Sequence, residues 1–388
     1  MPKNAVMIVS FFFRPNIGGI ETHLNDLIRL IESKGLNIFV VTFQPLTSTK
    51  RGKTVEHSNS TKIYRIPNPL FDSFYRLDRH SVVRFLILSP LLFISASAIL
   101  AKYRSQIGVI HANNYVTAFT TAVMSKIFNT RSVITVYDTH DFFGENSPMF
   151  LRRFAGRLLS SYDSIIAISE RGKRDILSLN VDTRKIMVMT FWIDTIAFTP
   201  CQNSSEKYFR HPERKFSILY VGRLIETKGV LLLLRVAERL KSDHNIVFNF
   251  IGQGPLKQKI IEAAETGTNV FYLGAFGPEE LREYYCDADV TIVPSIHEEG
   301  YGRVIMESIA CATPVIASRR GAIVEAIDDS VGILVEPEVE SILSVLETIS
   351  KDRSILGRLA ANCRLYAERK FGESNGEIIL NSYIRDGL

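Results

Sequence analysis

The amino-acid sequence predicts an α/β protein made of two facing, Rossmann-like, doubly wound domains. Short apolar runs alternate with helical patterns along the whole chain, as in parallel sheets covered by helices. This alternation starts again after a polar segment in the middle of the chain. With 388 residues, of which 46% are hydrophobic, the chain is longer than one ordinary core needs and has enough apolar material for two.

The predicted strands fall into two series. Helical patterns such as Ile20–Ser33 and Asn114–Phe128 separate most members of the first series. The first series is Ala5–Phe11, Asn37–Phe43, Lys62–Ile66, Gly108–His111, Ser132–Val136, Ser164–Ile168 and Lys185–Met189. The second series is Phe216–Val221, Ile246–Ile251, Val270–Leu273, Val290–Val293, Pro314–Ala317 and Gly332–Val335.

A polar stretch from Asp194 to Arg214, which contains Pro200 and Pro212, predicts a linker between the two series. We therefore predict an N-terminal domain over residues 1–195 and a C-terminal domain over residues 196–365. Residues 366–388 are predicted to form a helix that packs back on the N-terminal domain. Ligands of doubly wound sheets bind beyond the carboxyl ends of the strands, so a ligand is expected in the cleft between the domains.

Composition excludes some functions. The formal net charge is only +5, and no Lys/Arg run is interleaved with aromatic residues, so nucleic-acid binding is not expected. The four cysteines are scattered without metal-ligand spacing and predict inert thiols in a reducing compartment. The N-terminus lacks the pattern of a secretory signal, and a cytoplasmic location is the expectation.

One apolar stretch, Ser81–Leu100, resembles a membrane span. Arg84 and Pro90 interrupt it, and the uncharged part is shorter than the ~20 residues that a span needs. The stretch predicts a buried core helix or a helix that touches lipid. With the basic segment Tyr75–His80 and with Arg152-Arg153, it leaves open a peripheral contact with the inner face of the membrane.

Glycines follow several strands directly. Gly18 and Gly19 precede a helix that begins with Glu21, and free amides at a helix start favour an anion; a plain tight turn is the alternative. Gly222-Arg223 ends the first strand of the second series, and Lys228 follows. Such cations are suited to a diphosphate, whereas two solvated surface charges are the alternative. Two further glycines, Gly252 and Gly254, follow the next strand and would let a nucleotide approach the backbone.

Two carboxylates stand eight residues apart after the strand Val290–Val293. Glu299 lies in the loop, and a helix is predicted to begin near Tyr301 or Gly302, which places Glu307 about two turns along it. Free amides at this helix start would hold a phosphate. A carboxylate close to phosphates is electrostatically unfavourable unless it binds hydroxyl groups, and sugar and ribose supply these.

The spacing Glu299…Glu307 resembles the E-x7-E motif of retaining glycosyltransferases with the two-domain GT-B fold, in particular glycosyltransferase family 4. The resemblance covers nearly the whole chain, since further landmarks occur in the family's order. They are Gly18–Glu21, Val109–His111, Ile166–Glu170, Trp192–Asp194, Val221–Arg223, Lys228-Gly229 and Thr313–Ala317.

The resemblance implies a role for each matching residue. Arg223 and Lys228 would hold the donor diphosphate and stabilise the leaving group, while Glu299 would bind the transferred sugar and Glu307 the ribose. Gly18 and Gly19 would lie beside the diphosphate and the acceptor, and the N-terminal domain would bind that acceptor. The remaining donor-binding candidates are Gly222, Gly252, Gly254, Gly300, Tyr301, Gly302, Arg303 and Val304.

The sequence departs from the family in one place. The family usually has a histidine shortly after the strand that corresponds to Ser132–Val136, and Tyr137 stands there. Either an insertion brings His140 to the sugar site, the option we favour, or Tyr137 replaces it. His111 and Glu21 are further acceptor-side candidates, and a structural role for His111 is the alternative.

The resemblance implies retention at the anomeric carbon, and no residue offers itself as a covalent nucleophile. A front-face displacement is therefore expected, with Arg223, Lys228 and the substrate itself assisting. Asp287 and Asp289 form a D-x-D pattern, but they precede a strand, and no metal or other cofactor is expected. The expected partners are a nucleotide-diphosphate sugar and a glycan or lipid-linked acceptor. The alternatives are a UDP-sugar epimerase, a sugar phosphorylase or a non-catalytic binding subunit.

Overall fold

The structure, a computed structural model, describes residues 3–16, 19–45, 51–67, 81–137, 147–201, 208, 214–266 and 269–384. Internal contacts divide the chain into two compact units. Unit 1 comprises residues 1–189 and 374–388, and unit 2 comprises residues 190–373. The chain therefore passes from unit 1 to unit 2 and returns to unit 1 at its end.

Unit 1 contains an eight-stranded sheet within its described residues, in the order β3-β4-β2-β1-β5-β6-β7-β8. Every pairing is parallel except that of β3 with β4. The strands are β1 (Ala5–Ser10), β2 (Asn37–Phe43), β3 (Val55–Ser58), β4 (Thr61–Ile66), β5 (Ile107–Asn113), β6 (Arg131–Val136), β7 (Ser164–Ala167) and β8 (Ile186–Val188). The helices are α1 (Gly19–Ser33), α2 (Ser81–Lys102), α3 (Tyr115–Phe128), α4 (Met149–Ser160) and α5 (Glu170–Leu177).

Unit 2 contains a six-stranded parallel sheet in its described residues, in the order β11-β10-β9-β12-β13-β14. Its strands are β9 (Phe216–Val221), β10 (Ile246–Ile251), β11 (Val270–Gly274), β12 (Val290–Val293), β13 (Val315–Ser318) and β14 (Gly332–Val335). Its helices are α6 (Val230–Arg239), α7 (Lys257–Glu265), α8 (Pro278–Asp287), α9 (Arg303–Ala310), α10 (Ile323–Ala326), α11 (Val339–Lys351) and α12 (Ser354–Lys370). The last helix, α13 (Glu377–Ile384), belongs to unit 1.

These two parallel sheets confirm the predicted fold class. The predicted strands are present with ends that differ by one or two residues at most. The strand that the sequence did not reveal is β3, an antiparallel edge strand. It is only four residues long and reads VEHS, so it lacks the apolar run that marks the buried strands.

The helices of unit 1 lie on both faces of its sheet. The connection from β1 to β2 runs toward one edge, whereas those from β4 to β5, β5 to β6 and β6 to β7 run toward the other. Because such crossovers are right-handed, α1 covers one face and α2, α3 and α4 cover the other. Each helix that follows a strand begins at the carboxyl edge of the sheet, where ligand-binding loops of this architecture lie.

The predicted boundaries differ from the observed ones because of packing. The helix α12 continues through residues 365 and 366 and buries Cys363 and Ala367 in the core of unit 2. The start of the predicted linker is also packed there, since Phe198 is buried in that core beside Ile193, which directly precedes the linker. The chain returns to unit 1 at Ser374, and α13 buries Tyr383.

The expectation that all four cysteines are thiols is wrong for two of them. Cys201 and Cys286 form a disulfide that joins the segment after Phe198 to α8. The sequence did not reveal this pair, because the two cysteines are 85 residues apart. Cys311 and Cys363 are free and buried.

The apolar stretch forms the helix α2, with Pro90 inside it. Leu88, Leu92, Ala96 and Leu100 are buried against the sheet at helical spacing. This packing supports the core-helix interpretation for that face. Within the described part of the chain, no helix has the length and the apolar content to cross a bilayer.

Candidate active site

The loop after β9 is held in place by its neighbours. The backbone N–H of Leu224 donates to Gln253 O at 2.8 Å, and Leu256 N–H donates to Leu224 O at 3.0 Å. The Tyr220 hydroxyl donates to Arg223 O at 2.8 Å. A Cβ on Gly252 would lie 1.8 Å from Gly222 O, so the two loops approach closely only because position 252 is glycine. This packing fixes the position of the Arg223 backbone.

Lys228 and Glu299 form an ion pair at the carboxyl edge of the unit 2 sheet. The Lys228 ammonium contacts Glu299 Oε1, and the Ser295 hydroxyl donates to Glu299 Oε2. The loops that carry them are joined by the Ile296 N–H, which donates to Thr227 O at 3.0 Å. Both charged side chains keep part of their surface exposed, 24% for Lys228 and 17% for Glu299. The structure thus brings together two residues that are 71 positions apart in the sequence.

A third loop supports Glu299 from behind. Gly321 follows β13, has a φ of +58°, and lies so close that a Cβ there would be 2.0 Å from Glu299 O. The next residue, Ala322, donates its N–H to the same oxygen at 2.7 Å. The backbone of Glu299 is therefore fixed by a contact that only glycine permits.

Glu307 lies on the short helix α9, which begins at Arg303, close to the predicted start. Its carboxylate is buried, with 4% of the residue exposed. Oε1 accepts from Arg303 Nε at 2.8 Å, and Oε2 accepts from the Tyr285 hydroxyl at 2.8 Å. The motif's second carboxylate is thus oriented by a cation on its own helix and by a phenol on α8.

Burial changes the proton affinity of two of these groups. Burial, and then the nearby positive charge of Arg223, lower the pKa of Lys228 to about 8. Burial and the Glu307 carboxylate raise the pKa of Tyr285 well above its usual value. Tyr285 therefore stays a hydroxyl donor over the whole physiological range.

Replacing Tyr285 by phenylalanine is expected to destabilise unit 2 by about 1–3 kcal/mol, because one buried oxygen of Glu307 then loses its donor. The midpoint of urea unfolding measures this. The matched control is Tyr284→Phe, since Tyr284 is only half-buried and stacks on Phe276. Equal effects of the two substitutions would contradict the assigned hydrogen bond.

The lowered pKa of Lys228 predicts a pH dependence of anion binding. Because the pKa of Lys228 is about 8, the side chain is a cation at lower pH and loses its charge at higher pH. Affinity for a nucleoside diphosphate is therefore expected to fall as pH rises from 7 to 9, with an inflection near 8 in the free protein. Calorimetric titration of UDP measures this. Lys228→Arg is the control, because an arginine remains charged and should flatten the profile.

In unit 1, polar side chains meet at the carboxyl ends of β1, β5 and β6. The Tyr137 hydroxyl donates to Asn113 Oδ1, and Asn113 Nδ2 donates to Ser10 Oγ at 3.3 Å. The His23 and Tyr137 rings lie edge to face, with centroids 5.9 Å apart. Burial raises the pKa of Tyr137, and the negative charge of Glu21 raises it further. Two predicted acceptor-side residues, Glu21 and Tyr137, therefore belong to one polar cluster.

The surroundings of His111 favour the structural role over a direct contact with the acceptor. Its side chain has no exposed surface, and its ring nitrogens lie 2.6 Å from the Tyr383 hydroxyl and 2.8 Å from Thr135 Oγ1. Burial lowers its pKa to about 3, which keeps the ring neutral. The histidine thus joins β5 and β6 to α13.

Several predicted residues remain to be located. Gly18 and His140 lie outside the described residues, so the choice between His140 and Tyr137 stays a prediction. Gly19 begins α1, and no atom lies within 4 Å of where its Cβ would be. Gly254 is held like Gly252, since its Cβ would lie 2.4 Å from Leu224 O. Gly300, Tyr301 and Gly302 form the turn into α9, and Arg303 and Val304 are the first residues of that helix.

One aspartate of the D-x-D pattern has a structural role. Asp289 is fully buried, accepts from Ser217 N–H at 2.7 Å and pairs with Arg214 at 3.3 Å. Among the residues that the structure describes, no group of three or more His, Cys, Asp or Glu side chains could hold a metal ion. The supporting residues Ser295, Tyr285, Gly321 and Asn113 were not identified from the sequence.

Comparison with known families decides the class of protein. The family model described as Glycosyltransferase Family 4 matches residues 17–196, and the model described as Glycosyl transferases group 1 matches residues 202–370. The chain belongs to the group 1 glycosyltransferases. The two matches together cover most of both units, which makes the chain a glycosyltransferase and therefore a transferase enzyme.

Individual relatives agree with this family. The chain is 24% identical over 346 residues to the phosphatidylinositol N-acetylglucosaminyltransferase GPI3 subunit of Saccharomyces cerevisiae, covering 87% of the chain and 72% of the relative. It is similar in structure to a sucrose-phosphate synthase of Thermosynechococcus elongatus (TM-score 0.77, 20% identity, 98% of each chain). It also resembles Anabaena HepE solved in complex with UDP (TM-score 0.75, 18% identity, 97% and 98% covered). These solved structures confirm the GT-B fold of this glycosyltransferase.

Proposed function

We propose that this glycosyltransferase moves a sugar from a nucleotide-diphosphate sugar to a lipid-linked acceptor, with retention of configuration at the anomeric carbon. The observation that carries the proposal is the pairing of cations with carboxylates in unit 2. Lys228, which lies near Arg223, pairs with Glu299, and Arg303 pairs with Glu307. Cations suit the diphosphate of a donor, and carboxylates suit its hydroxyl groups.

The donor site is proposed as follows. The diphosphate binds at Arg223 and Lys228 beside the amides that begin α9, where a helix start favours negative charge. The ribose hydroxyls donate to Glu307, whose carboxylate is already oriented by Tyr285. The transferred sugar donates to Glu299, which Ser295 and Gly321 hold in position. The similarity to a protein solved with UDP supports a nucleotide donor.

The proposed reaction is a front-face displacement. The bond between the anomeric carbon and the diphosphate oxygen breaks, and the acceptor oxygen bonds to that carbon from the same side. The departing phosphate oxygen takes the acceptor proton, while Arg223 and Lys228 stabilise its charge. Glu299 is partnered by Lys228 and Ser295, which suits hydroxyl binding better than nucleophilic attack. Because two protein cations neutralise the diphosphate, we propose the reaction without a metal or other cofactor.

The acceptor is proposed to bind in unit 1, at the polar cluster of Ser10, Glu21, Asn113 and Tyr137. The yeast relative is named for phosphatidylinositol, which supports a lipid-linked acceptor for this chain. Nucleotide sugars are water-soluble and a lipid acceptor is not, so the enzyme has to work at a membrane surface. We propose that it does so as a peripheral membrane protein.

Transfer by the purified chain tests the proposal. The chain is incubated with a panel of UDP-, GDP- and ADP-sugars, vesicles that contain phosphatidylinositol, and either EDTA or Mg²⁺. Mass spectrometry is expected to show a glycosylated lipid and free nucleoside diphosphate. Both products are expected to form as fast in EDTA as in Mg²⁺. Epimerised donor without transfer would indicate the epimerase alternative, and sugar-1-phosphate the phosphorylase. Binding of a nucleotide sugar without any turnover would indicate a non-catalytic subunit.

A further inference from the structure

An unusual surface lies on α4, where aromatic side chains point to solvent. Phe150 is 69% exposed and Phe154 is 48% exposed, and Met149 at the start of the helix is 65% exposed. The opposite side of the helix is packed, since Ala155 and Leu159 are buried. The exposed aromatic residues are therefore not a consequence of poor packing of the helix.

Arginines lie between these aromatic residues. Phe150, Arg153, Phe154 and Arg157 follow the spacing i, i+3, i+4, i+7, which places all four on one helix face. Both arginines are exposed. The helix contains three arginines and no acidic residue. A face with this composition combines an apolar surface with positive charge.

The surface extends beyond α4. Phe119 on α3 is 44% exposed, and its ring lies 6.4 Å from that of Phe154. Because α3 and α4 cover the same face of the sheet, their side chains form one continuous patch. The "α4 patch" consists of Phe119, Phe150, Arg153, Phe154 and Arg157.

We propose that the α4 patch docks unit 1 onto a bilayer that contains anionic lipid. Aromatic rings bury into the interface between headgroups and acyl chains, while arginines attract the negative surface and reach back to the headgroups. Charge complementarity selects this occupant over a neutral apolar partner. The helix also begins at the carboxyl edge of the sheet, the edge that carries Asn113 and Tyr137. Docking there would bring a lipid-linked acceptor to the proposed site, so this inference rests on the proposed function.

Vesicle flotation without donor or acceptor tests the patch. The full chain is mixed with phosphatidylcholine vesicles that contain ~30% phosphatidylglycerol, or none. Arg153→Gln/Arg157→Gln is expected to weaken binding to the anionic vesicles about 30-fold, with little effect on binding to neutral vesicles. Phe150→Ser/Phe154→Ser is expected to weaken binding to both by about tenfold or more. High salt should weaken binding of the wild type and barely affect the arginine variant.

Two matched controls make this test specific. Phe271→Ser removes a 45% exposed aromatic from unit 2, and Arg235→Gln/Arg369→Gln removes the same charge from exposed sites there. Both controls are expected to bind vesicles like the wild type. Equal loss in the controls, or equal binding by all variants, would overturn the proposal. A third result would also overturn it: the wild type self-associates but binds no vesicles, and Phe150→Ser/Phe154→Ser abolishes the self-association. The patch would then join two copies of the chain.

The outcome separates the docking surface from the proposed function. If the chain glycosylates a lipid acceptor in detergent but never binds vesicles through the α4 patch, the docking inference is wrong and the transferase proposal stands. If the patch binds anionic vesicles and no lipid is glycosylated by any donor, the surface is correct and the acceptor assignment fails.

Discussion

Replacing Lys228 by alanine is expected to lower kcat for sugar transfer by about 10²–10³-fold. Its ammonium contacts Glu299 and lies near enough to Arg223 for the two charges to repel each other. In the proposed reaction these cations stabilise negative charge that develops on the departing diphosphate. An interaction that strengthens in the transition state affects kcat more than KM. Arg223→Ala is expected to have an effect of similar size.

The control for both substitutions is Arg235→Ala, which removes an exposed cation on α6. Steady-state kinetics with saturating donor measures the change, and a melting curve shows that each variant is folded. Lys228 also holds Glu299, which is proposed to bind the transferred sugar, so the sugar is expected to be less well positioned in Lys228→Ala. Near-normal kcat in both Arg223→Ala and Lys228→Ala would remove these residues from the mechanism.

Replacing Gly321 by alanine is expected to reduce transfer about 100-fold, although Gly321 touches no proposed substrate atom. The new Cβ would lie 2.0 Å from Glu299 O and 2.4 Å from Glu299 N, so the loop that carries Glu299 has to move. A displacement of ~1 Å at a reacting group lowers rates by about two orders of magnitude. Because Arg223 and Glu307 lie outside this loop, UDP affinity is expected to fall less than kcat.

Gly35→Ala separates the strain of a positive φ from the steric clash of a new Cβ. Gly35 also has a positive φ, +74°, but no atom lies within 4 Å of where its Cβ would be. It is therefore expected to lose about 1–2 kcal/mol of stability from its backbone conformation alone and to keep full kcat. Equal kcat in Gly321→Ala and wild type would show that Gly321 does not position Glu299.

Much of this fold is predictable because parallel strands buried on both faces are almost purely apolar. β9 reads FSILYV and β12 reads VTIV, and both were located from these runs. The edge strand β3 was missed because none of its four residues is buried and only one of them, Val55, is apolar. The boundary near residue 365 was misplaced, since composition does not show that Ala367 is buried against unit 2 while Tyr383 is buried in unit 1.

The candidate site could be predicted only in part. Glu299 and Glu307 were identified by their spacing within one loop and helix, a local pattern. Ser295, Tyr285 and Gly321 support those carboxylates through contacts that depend on the tertiary structure, and no local pattern marks them. Gly321 carries a weak signal, because it stands in the short loop after the buried strand β13, and a loop glycine often marks a close approach of two backbone segments.

His111 and the cysteines also have partners that are distant in the sequence and that no local pattern reveals. A histidine at a strand end suggests a ligand site, and its actual partners, Thr135 and Tyr383, come from another strand and from the last helix. The disulfide between Cys201 and Cys286 likewise joins distant segments. In both cases a partner from a distant segment, which the sequence does not show, decides the role of the residue.

The anomeric configuration of the new glycosidic bond tests the central claim most directly. The purified chain is supplied with an α-linked nucleotide sugar and its lipid acceptor in EDTA, and the released product is examined by proton NMR. We predict an α-linked product in the wild type, with formation reduced about 10²–10³-fold in Lys228→Ala. A β-linked product would contradict the front-face mechanism, and absence of transfer with every donor would contradict the assigned function.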